Sequence, residues 1–172
     1  MWDTGTLTAG SHRVKIWWDT TNIAGTYISI DAFDVLGTLD QATALPPTRY
    51  QQADSHFVYA GTWATFTTTS ASGGSYTRAN TSGASVTVSF TGTYLAWIAT
   101  KGTTLGKAYV SLDGGTAVSV NLAASAVAYQ QSVWNTGTLT AGAHTVKIWW
   151  DTTNTAGKYI SVDAFDVLGT LN

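Results

Sequence analysis

Residues Lys107–Leu122 read KAYVSLDGGTAVSVNL and have the pattern of a β-hairpin. Apolar and polar residues alternate on both sides of Asp113-Gly114-Gly115, which is the period of a strand buried on one face. Glycine accepts the positive φ angles that tight hairpin turns require. We therefore predict strands at 107–113 and 116–122. The inward positions are Ala108, Val110, Leu112, Val118, Val120 and Leu122, and the outward positions include Lys107, Tyr109 and Ser111.

The same alternation continues through the chain, and no long stretch has a period of 3.6 residues. Ser85–Phe90 reads SVTVSF, with Val86, Val88 and Phe90 on one face. Further strands are predicted at 57–67, 94–101, 127–134, 144–150 and 158–168, with glycine-containing turns between them. About eight short strands at this spacing predict an all-β fold, an antiparallel β-sandwich of the jelly-roll type.

The first part of the chain repeats its last part. Residues 2–40 and 134–172 differ at seven of 39 positions, at an offset of 132 residues. We therefore predict a tandem repeat in which residues 41–172 form one complete sandwich unit. Residues 1–40 are then a partial repeat, the C-terminal strands of a preceding unit.

The partial repeat has a consequence for assembly. A few strands without an opposing sheet cannot bury their apolar faces, and their edges stay unpaired. Residues 41–133 can be completed by either copy, so one copy is always surplus. We predict a homo-oligomer through residues 1–40, formed by domain swapping or by pairing of surplus segments. A disordered amino-terminal tail is the alternative.

Composition excludes several classes of function. The net charge is −2 and 10% of the residues are charged, so no basic surface for nucleic acid or for a membrane is expected. There is no cysteine, which excludes disulfides and thiolate metal sites. The Ser, Thr, Gly and Ala content is typical of bacterial surface repeats, and we expect a secreted protein that is extracellular or at the cell surface.

The ionisable residues do not predict an enzyme. Glu is absent. Asp163 and Asp166 are three residues apart on a strand, so they face opposite sides and cannot act together on one glycosidic bond. His144 follows a glycine turn and is interpreted as a hydrogen-bonded residue at the start of a strand. We expect no catalytic residue, no metal site and no cofactor; a structural calcium completed by backbone carbonyls is the alternative.

The aromatic residues are more informative. Trp149 and Trp150 are adjacent on a strand, so their side chains leave on opposite faces. With Val146 and Ile148 inward, Trp150 joins the core and Trp149 lies outside, beside Lys147. An outward Trp on a sheet can stack on a sugar ring, and Tyr109 is also predicted outward. The alternative is that a loop or a neighbouring repeat covers Trp149.

Several segments resemble the carbohydrate-binding β-sandwich modules of the galactose-binding-like superfamily, over most of residues 50–168. The matching segments are SGGSY (72–76), AYVSLDGG (108–115), LTAGAHTVKI (139–148) and YISVDAFDV (159–167). The resemblance implies a jelly roll that binds sugars at loops on one end, between aromatic residues and a late-loop Asn. Asn154 matches that Asn, with Tyr159 and Trp149 near it in sequence. The acidic first strand of that family, with its calcium-associated Glu, is absent.

Two functions follow from these features. The first is a non-catalytic carbohydrate-binding module, with Trp149, Asn154, Tyr159 and Tyr109 as the ligand-binding candidates. The second is a structural or adhesive repeat that self-associates through its duplicated strands.

Overall fold

The computed structural model describes residues 2–8, 10, 12–17, 21–23, 26–36 and 46–172. In this described part the chain forms eleven strands and no α-helix. The strands are β1 (Thr48–Gln51), β2 (Phe57–Ala60), β3 (Ala64–Thr67), β4 (Ser75–Ala79), β5 (Ser85–Lys101), β6 (Lys107–Leu112), β7 (Val118–Asn121), β8 (Ala128–Asn135), β9 (Gly142–Trp150), β10 (Ile160–Val162) and β11 (Ala164–Leu171). Neighbouring strands pair antiparallel. The predicted all-β jelly-roll sandwich is confirmed.

Strand β5 organises the larger sheet. Its first half pairs with β2 on one edge and β9 on the other, and its second half pairs with β11 and β8. The order β1-β11-β5-β9-β6-β7 places β5 at the centre. A second sheet has the order β10-β4-β3.

Two predicted strands are one strand in the structure. The glycine at position 92 indicated a turn between Ser85–Phe90 and 94–101, yet β5 runs through it. A side chain at Gly92 would collide with the backbone of Leu168 and Gly169, where the register of β11 shifts. The glycine therefore serves a close approach of two strands and does not end one.

The core follows the predicted alternation. Val86, Val88 and Phe90 are fully buried, as predicted. The predicted inward residues of the hairpin and of β9 behave likewise, with two exceptions in the hairpin, since Leu112 is only half-buried and Val118 is exposed. Val118 is 52% exposed, because it begins the edge strand β7, which has a neighbour on one side only. Fully or nearly fully buried are Ala108, Val110, Val120, Leu122, Val146, Ile148 and Trp150.

The chain divides into two units, residues 1–44 and 45–172. The described residues of the first unit are exposed and contain no strand. The second unit contains all eleven strands. The predicted boundary between residues 40 and 41 lies outside the described residues.

Candidate functional site

Trp149 and Tyr109 lie side by side on the outer face of the larger sheet. Residue pairing aligns Ser85, Trp149 and Tyr109 across the neighbouring strands β5, β9 and β6. The ring centroids of Trp149 and Tyr109 are 5.7 Å apart and the ring planes differ by 34°. Both side chains are half-buried, so each ring keeps an accessible part. The structure thus forms a two-ring surface from residues that are 40 positions apart in sequence.

A shallow depression adjoins this pair. It has a volume of about 260 Å³ and is lined by Gly83, Ser85, Ser111, Lys147 and Trp149. Its walls present one indole ring, two hydroxyl groups and one ammonium group. This combination suits a ligand with an apolar face and a polar rim. Lys147 is exposed, as predicted from its position beside Trp149.

Asn154 has a different environment. Its Oδ1 accepts a hydrogen bond from the backbone N–H of Lys107 at 2.7 Å, and its Nδ2 donates to the Lys107 carbonyl at 2.7 Å. Gly106 makes room for the amide, since a Cβ there would overlap Asn154. The side chain therefore fixes the loop between β9 and β10 against the start of β6, with both amide atoms engaged.

Tyr159 belongs to a second aromatic group, which sequence reasoning missed. The guanidinium carbon of Arg78 lies 4.4 Å from the ring centroid of Tyr159 and 4.9 Å from that of Phe66. Arg78 is thus held between two rings, a favourable cation–π arrangement. Tyr76 extends the group, 5.3 Å from Phe66. No strand was predicted at Ser75–Ala79, so the alternation that places Tyr76 and Arg78 on one face was overlooked.

Asp163 is a buried carboxylate beside the first strand. The backbone N–H of Ser72 donates to both of its oxygens, at 3.0 and 3.2 Å. Burial raises the pKa of Asp163, and the Ser72 N–H opposes that rise. Nearby, the Gln51 amide donates to the Ser72 hydroxyl at 3.1 Å, while the buried Oε1 atoms of Gln51 and Gln52 have no hydrogen-bond partner.

These oxygens give a test for a structural cation. Calcium binds six to eight oxygens, commonly with several carboxylates among them. Here the side chains offer one carboxylate and two neutral amides, and the described residues contain no group of three or more acidic, His or Cys side chains suited to a metal. The set does not fit a calcium site.

His144 and Asp166 have structural partners. His144 Nδ1 lies 2.8 Å from Asp113 Oδ2, and its Nε2 lies 3.0 Å from the Thr140 carbonyl. The predicted role of His144 as a hydrogen-bonded residue at a strand start is confirmed. The hydrogen bond to Asp113 raises the pKa of His144. Asp166 forms a bidentate ion pair with Arg49, whose Nε and Nη2 atoms donate to Oδ1 and Oδ2 at 2.6 and 2.7 Å.

In the part of the chain that the structure describes, no helix has the length and apolar character needed to cross a membrane.

Comparison with solved structures shows which known proteins have a similar fold. The chain matches part of an exo-β-1,3-galactanase from Phanerochaete chrysosporium, with a TM-score of 0.52, 20% identity, and coverage of 70% of this chain and 29% of that one. It also matches part of a family two carbohydrate esterase from Cellvibrio japonicus, with a TM-score of 0.51, 17% identity, and coverage of 72% and 34%. The chain shares its fold with carbohydrate-active proteins. The predicted resemblance to carbohydrate-binding β-sandwich modules is confirmed at the level of the fold.

The chain spans about a third of the length of these two proteins. A family 35 carbohydrate-binding module from Clostridium thermocellum is also similar, with a TM-score of 0.48 and 16% identity, over 70% of this chain and 98% of that one. No protein-family model matches the chain, and no curated protein matches it.

Proposed function

We propose that residues 46–172 form a non-catalytic carbohydrate-binding module, which holds a sugar ring against Trp149 and Tyr109. The observation that carries the proposal is the half-exposed pair of rings 5.7 Å apart on one sheet face. Axial C–H groups of a pyranose can meet the faces of aromatic rings, while its hydroxyl groups need hydrogen-bond partners. Ser85, Ser111 and Lys147 offer such partners in the adjoining depression.

The neighbours in fold support the ligand class. The galactanase has been solved with β-1,3-galactotriose, and both named enzymes carry the similar sandwich as a fraction of a longer chain. We infer a comparable arrangement here, in a secreted protein whose ligand is an extracellular glycan.

The absence of a catalytic role is part of the proposal. Within the described residues, three carboxylates form structural pairs with a histidine or an arginine: Asp113 with His144, Asp54 with His56 and Asp166 with Arg49. Covalent catalysis requires a base that positions a nucleophile, whereas both ring nitrogens of His144 are engaged, with Asp113 and with the Thr140 carbonyl.

Affinity electrophoresis tests the proposal. The full chain is run through native gels that contain soluble β-1,3-galactan, xylan or mixed-linkage glucan, beside a gel without polysaccharide. We expect retardation in at least one gel. Tyr109→Ala and Trp149→Ala should each weaken binding roughly tenfold, because each removes an aromatic contact at the centre of the site.

Trp17→Ala is the matched control, since Trp17 is the counterpart of Trp149 in the amino-terminal copy. It should migrate as the parent chain does in every gel. Tyr109 occurs outside the duplicated stretch, so its variant has no second copy to replace it. Unchanged retardation of Tyr109→Ala would refute binding at this face, and a parent chain unretarded by an extended glycan panel would refute the function.

A further inference from the structure

The amino-terminal copy exposes the side-chain types that its counterpart buries. Val14 and Ile16 are each 47% exposed, and Phe33 is 53% exposed. Their counterparts at an offset of 132 residues, Val146, Ile148 and Phe165, are fully buried. The same contrast holds for Ile28, Ile30 and Val35, set against Ile160, Val162 and Val167.

From this contrast we propose that residues 2–36 are an interchangeable second copy of the C-terminal strands. They dock within the same chain, and not between molecules as predicted from the repeat alone, onto residues 46–133, in the place that residues 134–168 otherwise occupy. We call residues 46–133 the acceptor. The inference does not depend on sugar binding.

The acceptor binds the C-terminal strands through contacts that either copy of those strands can make. Val146 and Ile148 pair with Val88 and Val86 on β5. The ring of Phe165 packs edge-on against that of Phe57, with centroids 5.0 Å apart. The amino-terminal copy keeps these residue types as Val14, Ile16 and Phe33.

The polar contacts are duplicated as well. Arg49 of the acceptor forms an ion pair with Asp166, and the Trp97 indole N–H donates to the Ser161 carbonyl at 3.1 Å. The Ser161 hydroxyl also bonds to the backbone of Thr100. Asp34 and Ser29 stand at the two matching positions of the amino-terminal copy.

Most of the seven differences between the copies lie at exposed positions, although Thr145 and Asn172 contact the side chains of Ser89 and Thr91 there. Five lie at positions that are exposed in the docked copy: Asn135, Ala143, Thr145, Thr155 and Asn172. The other two also touch the interface. Ile30 adds a methylene where Val162 is fully buried, and Thr26 lacks the amine with which Lys158 reaches the Thr103 carbonyl at 2.6 Å. Both changes favour the C-terminal copy, which is the copy that the structure shows docked.

Docking within one chain needs only a short connection. Val167 lies opposite Thr48 in the β11–β1 pair, so Val35 would take that place with residues 36–47 as the connection. The entropy cost of closing a loop grows slowly with its length. A tethered segment also acts at a high effective concentration, which favours it over a segment from another molecule.

Paired substitutions test the exchange in the full chain. Urea unfolding, followed by Trp fluorescence, is compared for the parent, Phe33→Ala, Phe165→Ala and the double variant. We expect Phe33→Ala to match the parent. Phe165→Ala should have a midpoint well above that of the double variant, because the intact copy takes over the acceptor. Coinciding midpoints for Phe165→Ala and the double variant would overturn the proposal.

Two further measurements identify the docked segment and its source. In Phe165→Ala, trypsin should cut after Lys147 and Lys158 before it cuts after Arg13 and Lys15. The unfolding midpoint and the mass from light scattering should not change with protein concentration. A dimer formed by Phe165→Ala would mean that the segment comes from a second molecule, which contradicts docking within the chain.

Discussion

At the scale of single residues, the pair His144–Asp113 ties the turn after β6 to the start of β9. Asp113 has a φ of 51°, a left-handed conformation that Asn also tolerates. The hydrogen bond raises the pKa of His144 above its ordinary 6.5 and lowers that of Asp113 below 3.8. Protonated His144 therefore stabilises the fold below about pH 6.5, and this contribution is lost as the pH rises through the raised pKa.

Asp113→Asn should therefore destabilise the protein more at about pH 5.5 than at about pH 9. The measurement is the difference in thermal midpoint between variant and parent at each pH. Asp3→Asn is the control, because it removes one charge at a position where the second copy already has Asn135. A difference that does not vary with pH would show that the ion pair contributes nothing.

The buried Asp163 gives a second prediction at this scale. Its surroundings supply backbone N–H groups and neutral amides, not further carboxylates. We therefore expect the thermal midpoint to be the same in millimolar calcium and in excess chelator. A rise in the midpoint with calcium, lost in Gln51→Ala, would show that the free Gln51 Oε1 ligates a cation with Asp163.

At the scale of elements, the close approach of the paired strands β5 and β11 depends on two glycines. A Cβ at Gly92 would collide with the Leu168 carbonyl, and one at Gly169 with the Thr91 carbonyl. Gly92→Ala should lower the free energy of unfolding by about 1–3 kcal/mol, because backbone must move to admit the methyl group. Urea unfolding measures the change.

Gly142→Ala is the matched control on the strand that pairs with Gly92. It has room for a methyl group, whose nearest neighbour would be His144 Nε2 at 4.0 Å. Its effect should stay within about 0.5 kcal/mol. Equal effects of the two substitutions would mean that the close approach of β11 does not restrict the side chain at position 92.

The elements also show what alternation can and cannot predict. The strand predicted at Ser85–Phe90 was correct because its alternate residues face an apolar core and a polar surface. Gly92 was misinterpreted because a local pattern does not reveal which strand passes close by. β1 and β4 were missed because their polar residues Arg49 and Arg78 interact with partners far along the chain, Asp166 and Tyr159.

In the candidate site, too, alternation predicts some features and not others. Alternation places Tyr109 and Trp149 outward, and strand pairing then brings them together. The engagement of Asn154 with Lys107, and of Tyr159 with Arg78, depends on loop geometry that no periodic pattern encodes. The ligand-binding role that the family resemblance implies for Asn154 and Tyr159 stays a prediction.

At the scale of the whole molecule, the duplication makes protease sensitivity a measure of which copy is docked. Arg13 and Lys15 lie in an exposed stretch without strands, whereas Lys147 lies within β9. Proteases need an accessible, locally unfolded backbone. Brief trypsin treatment of the parent chain should therefore cut after Arg13 and Lys15 first and leave a folded fragment that ends at Asn172.

Mass spectrometry of the early fragments checks this order. The relative rates of cutting at Lys15 and at Lys147 report how often each copy is free, because the two lysines occupy the same position of the repeat. Equal rates would mean that both copies dock equally often, so that Ile30 and Thr26 carry no penalty. Cutting at Lys147 alone would reverse the assignment of the docked copy and contradict the sandwich described for residues 46–172.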